Sequence, residues 1–113
     1  MSEPPGKFYP HIMWWRRRGG AQLSPEVVER AAAATELSHL AQARFEQVVA
    51  VVDAGGMPAA GQLQAARDLM VLLAAELQEL RLVLPSGRPE NSAIAEVVAD
   101  TEAAVEWLDD IFR

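Results

Sequence analysis

Apolar residues recur along this chain at intervals of three and four, and the recurrence breaks at glycine and proline. Val27, Ala31, Ala34, Leu37, Ala41, Phe45, Val48 and Val52 follow that spacing, which places them on one face of a helix. Ser24 before Pro25 is a good N-cap followed by a proline suited to the first helical position, and Glu26 and Glu29 favour the positive end of the helix dipole. The pattern stops at Gly55-Gly56, which predicts a first helix over about 24–54.

A second run is more regular. Leu63, Ala66, Met70, Leu73, Leu77, Leu80 and Leu84 alternate spacings of three and four, the heptad signature of knobs-into-holes packing. Leu69, Leu72, Leu82 and Val83 widen that stripe. A wide stripe needs neighbours on two sides, so this helix, over about 58–84, is predicted to be the central one. Pro85-Ser86-Gly87-Arg88-Pro89 reads as a turn. Asn91 or Ser92 is the expected cap of a third helix over about 92–112. Its inner face is Ile94, Val97, Val98, Thr101, Ala104, Val105, Leu108, Ile111 and Phe112, with Glu96, Asp100, Glu102, Glu106 and Asp109 facing out.

Short connections force successive helices to run antiparallel. The predicted fold is all-α, an antiparallel up-down-up three-helix bundle over 24–113, preceded by an irregular N-terminal arm over 1–23. Pro4, Pro5, Gly6 and Pro10 bar a long helix in the arm, and Gly19-Gly20 reads as a joint.

Charge and aromatic content set the arm apart. Phe8, Tyr9, Ile12, Trp14 and Trp15 share it with Lys7, Arg16, Arg17 and Arg18, and Glu3 is its sole carboxylate. The whole chain carries a net charge of −6, so the bundle is more acidic than that figure. An acidic fold does not coat nucleic acid, which demands a basic face on the fold itself.

Tryptophan and arginine are the favoured anchors of protein interfaces. The arm residues Phe8, Tyr9, Ile12, Trp14, Trp15, Arg16, Arg17 and Arg18 are therefore the candidate partner-binding set, with a protein as the partner. The same residues suit single-stranded nucleic acid, indoles stacking on bases while arginines neutralise phosphates. A membrane interface is a weaker fit, because the acidic body repels anionic headgroups as it repels phosphate. A further alternative folds the aromatics back over a groove of the bundle, with the arginines pairing to its acidic surface. Val28, Leu40, Val49 and Val51 lie off the main stripe of the first helix and leave room for a homo-oligomer.

Glu36 and His39 form the E-x-x-H step that ferritin-like bundles use to hold metal. One such step is half a site. A symmetric dimer would have to double it, with Asp68, Glu76 or Glu79 as bridging carboxylates, so it stands as a minor di-metal alternative and no cofactor is expected. His11 reads as a solvent or interface group. Asp109-Asp110 sits at the unfavourable negative end of its helix, a candidate docking patch for a basic partner or for Arg16–Arg18.

Signatures of enzymes are missing: the chain has no cysteine, no G-x-S-x-G, no Walker loop and no dinucleotide-binding glycine pattern. A non-catalytic accessory or adaptor subunit is the resulting expectation. No apolar run approaches the length of a membrane span, the stretch from Leu69 to Ala75 being among the longest. A cytoplasmic location is expected.

Overall fold

The computed structural model describes residues 24–84 and 89–112, and within them the chain forms three helices and no strand. Helix α1 spans Pro25–Asp53, α2 Ala60–Val83 and α3 Pro89–Phe112. Both α1 and α3 pack along α2, which is central as the width of its apolar stripe implies. The described residues make a rod of 47 × 20 × 19 Å.

Each helix starts and stops for a local reason. The Ser24 hydroxyl accepts a hydrogen bond from the Val27 amide at 3.3 Å, satisfying one of the open donors of the first turn of α1. At the other end Gly55 takes a φ of 84°, a left-handed conformation that costs glycine little. Its amide donates to the Val52 carbonyl at 2.9 Å, and the Gly56 amide donates to the Val51 carbonyl at 3.0 Å. These two bonds are the Schellman pair, which closes the carbonyl end of α1.

Two expected boundaries move. Helix α2 begins at Ala60 rather than Pro58. The residue before it, Ala59, is extended, and its amide donates to the Gln62 side-chain oxygen at 3.0 Å. Pro58 is buried one place further out and Leu63 is buried one place beyond Gln62, the two positions of a hydrophobic staple. Helix α3 begins at Pro89, so Asn91 and Ser92 lie inside it and do not cap it. Proline is at home in the first turn, where its missing N–H costs nothing, and Glu90 favours the dipole's positive end.

Asn91 serves the neighbouring helix instead. Its side-chain amide donates to the Arg81 carbonyl at 3.1 Å, and its oxygen accepts from Arg81 Nε at 2.9 Å. An open carbonyl in the last turn of α2 is thereby satisfied from α3.

The core is a three-sided heptad seam. Helix α1 supplies Val27, Ala31, Ala34, Ser38, Ala41, Phe45 and Val48, all buried. Ser38 therefore occupies the place the apolar pattern gave to Leu37, which is only partly buried. The hydroxyl is tolerated because it donates to the Thr35 carbonyl at 2.8 Å. Thr35 and Thr101 are buried on the same terms, donating to the carbonyls of Ala31 at 2.8 Å and Val98 at 2.6 Å. From α3 the core takes Ile94, Val97, Val98, Ala104, Leu108 and Trp107, a residue the apolar pattern missed. The Trp107 ring meets Phe45 of α1 edge-on, with centroids 5.4 Å apart. One large aromatic pair thus spans the gap between the two outer helices.

Candidate interaction surface

The anchors read from the arm, Phe8, Tyr9, Ile12, Trp14, Trp15, Arg16, Arg17 and Arg18, lie outside the described residues, as does His11. What the bundle brings together is a different set.

Glu36 and His39 are both exposed on α1. The carboxylates considered as their bridging partners, Asp68, Glu76 and Glu79, are exposed on α2. No group of three metal-ligating side chains forms among the described residues. Two of those carboxylates have other work. Glu79 takes Arg30 of α1 at 3.1 Å, and Asp68 accepts from the Gln64 side chain at 2.7 Å.

The acidic end of α3 is also engaged. Asp109 accepts from Arg67 Nε of α2 at 2.8 Å, both side chains being a little over one-third exposed. The hydrogen bond and the negative charge of Asp109 push the Arg67 guanidinium above its ordinary range, so it stays charged at every working pH. Asp109 is thus a strut between α2 and α3.

The unexplained feature is apolar. Leu40 is 58% exposed on α1, and Leu72 is 54% exposed on α2. The broad apolar stripe of α2 implies a core position for Leu72 and for Leu82, yet Leu82 is exposed outright; Leu69 and Val83 do pack against the core. Val71 and Met57 are exposed as well, and neither stands out in the sequence.

The Arg30–Glu79 ion pair fixes the register of α1 against α2. In an antiparallel pair, one heptad forward on α1 matches one heptad back on α2. That step turns Arg30–Glu79 into Leu37–Leu72. One turn further along, Leu40 and Leu69 occupy the same outer edge of the seam. Four leucines therefore line one stretch of the α1–α2 surface, two of them half-sunk into the core and two in solvent.

Glu36, Asp68, Glu76 and Glu79 stand exposed on outer helix faces and Asp109 is ion-paired, none of them buried, whereas Glu90 is buried in the first turn of α3. Of the other off-stripe residues of α1, Val28 is 42% exposed, Val51 is half-buried and Val49 packs against the core. No family model, curated protein or solved structure matches the chain.

Proposed function

We propose that this chain is a non-catalytic helical subunit that docks onto a protein partner. The bundle is the mount, and the anchor is the arm set Phe8, Tyr9, Ile12, Trp14, Trp15, Arg16, Arg17 and Arg18. The observation that carries this reading is where the aromatic side chains are spent. Phe8, Tyr9, Trp14 and Trp15 fall in the first twenty residues beside three consecutive arginines. In the bundle, Phe45 and Trp107 are consumed by the core.

Indole and guanidinium groups bury large area and form charge-assisted bonds at low entropic cost, which suits them to the centre of an interface. The acidic helices work against phosphate and anionic lipid, and so favour a protein with carboxylates at its rim.

The double substitution Trp14→Ala with Trp15→Ala is expected to abolish recovery of the natural partner while the far-ultraviolet circular dichroism stays unchanged. Loss of helicity in that variant would place the arm in the core and end the proposal. Titration with single-stranded oligonucleotides at low and high salt decides the nucleic-acid alternative, since the phosphate contribution is strongest at low salt. Absence of binding there leaves the protein-docking reading, and salt-sensitive binding replaces it.

A further inference from the structure

We infer that the α1–α2 surface is a self-association face, on which a second copy of this chain packs antiparallel about a twofold axis passing close to Leu40. The inference is independent of the arm and rests on the arrangement of the bundle's own residues.

Three observations lead there. The first is the stretch of Leu37, Leu40, Leu69 and Leu72 described above, in which Leu40 and Leu72 each leave more than half of their surface in water. Both belong to long, regular helices rather than to loops. Their exposure is therefore not relieved by local rearrangement, and burial against a second helix pair removes it.

The second observation is charge. Glu36 stands four residues before Leu40 and Arg44 four residues after it, both exposed. Among the described residues Glu36 makes no ion pair, and Arg44 reaches only the Gln47 side chain, at 3.4 Å. A twofold axis across the helix near Leu40 reverses the direction of the partner's α1. Each Glu36 is then carried toward the other copy's Arg44, so one operation forms two opposite-charge pairs. A parallel arrangement stacks like on like and is disfavoured. The same operation sets α2 against α2, with Leu69 facing its counterpart in the second copy and Glu76 facing Gln62, and brings no like charges together. A surface whose charges are self-complementary under rotation is what an isologous interface requires.

The third observation is size. The flank of the rod measures 47 × 20 Å, enough for the roughly 800 Å² per partner that a standard interface buries. The resulting unit is four antiparallel helices around a second apolar seam, with α3 of each copy on the outside.

Sedimentation velocity on the full chain over a concentration series tests this. A dimer is expected. Leu40→Gln with Leu72→Gln should weaken association at least about tenfold, because the apolar centre of the interface is lost. Unchanged circular dichroism would show that the variant still folds. Arg44→Glu should also weaken it, by about tenfold, by replacing two attractive pairs with two repulsive ones. The decisive variant is the charge swap Glu36→Arg with Arg44→Glu, which should restore association to within roughly threefold of the parent. A monomer at every concentration overturns the inference, and so does a dimer indifferent to the leucine substitutions. Failure of the swap to rescue overturns the antiparallel arrangement. A dimer that survives Trp14→Ala with Trp15→Ala separates this face from the arm, whereas a dimer lost with those tryptophans assigns self-association to the arm and overturns the face.

Discussion

Gln42 is the residue that fits its place least well. It is buried on α1, its side-chain nitrogen donates to Glu46 at 3.2 Å, and its oxygen has no hydrogen-bond partner. A buried acceptor left open costs about 1–3 kcal/mol. Gln42→Met keeps the length of the side chain and removes that acceptor. It is expected to raise stability by about 1 kcal/mol, read as a higher denaturation midpoint with an unchanged slope. A lower midpoint would mean that a donor reaches the oxygen in solution. Gly55 is the opposite case, a residue fitted to its place by having no side chain. Space is not the constraint, since a methyl group there would meet nothing within 4 Å. The constraint is its φ of 84°. Gly55→Ala should therefore cost about 1–2 kcal/mol of stability through the backbone alone. The glycine stop was readable in the sequence, because glycine after an apolar-periodic run is a general helix terminator. The burial of Gln42 was not, because an amide at the edge of a stripe reads as solvent-facing until the neighbouring helix is in place.

At the scale of the element, the same limit explains which boundaries the sequence revealed. Ser24-Pro25 and Gly55-Gly56 act within a single turn, and α1 starts and stops where they say. Asn91 looks like a cap for the helix it belongs to, but its bonds go to Arg81 of the preceding helix, which is a tertiary choice. Ser38 and Leu37 exchange roles for a related reason. Heptad spacing from Ala34 to Ala41 passes through position 38, and a hydroxyl that bonds its own helix satisfies that position as well as a methyl group would. Asn91→Ala removes both bonds between α3 and the end of α2. We expect a loss of about 1–2 kcal/mol, together with faster amide hydrogen exchange confined to the last turn of α2. Protection lost uniformly along all three helices would instead show that the contact holds the whole bundle.

For the whole molecule, the three-helix architecture was legible because each of its helices carries an apolar stripe that seeks a neighbour, and the short connections leave antiparallel packing as the simple path. The surface was less legible. Leu72 and Leu82 share the composition of the core but not its angular position, so the breadth of the α2 stripe comes from a core face and an outer face lying side by side. Trp107 was missed for the converse reason: it flanks the seam between acidic residues and is buried by Phe45 from a helix distant in sequence. That aromatic pair bridges the two outer helices, whose main packing is against α2, so it is the natural site at which to test whether the rod is one cooperative unit. Trp107→Ala should cost about 3–5 kcal/mol. If α1 and α3 are coupled through this contact, unfolding of the variant followed by circular dichroism will remain a single transition at a lower midpoint. If α3 instead separates first, the transition will broaden and split, and α1 with α2 will persist as a hairpin. The single transition is the expected result, because Val97, Thr101, Ala104 and Leu108 hold α3 to the seam along its length whether or not the indole is present.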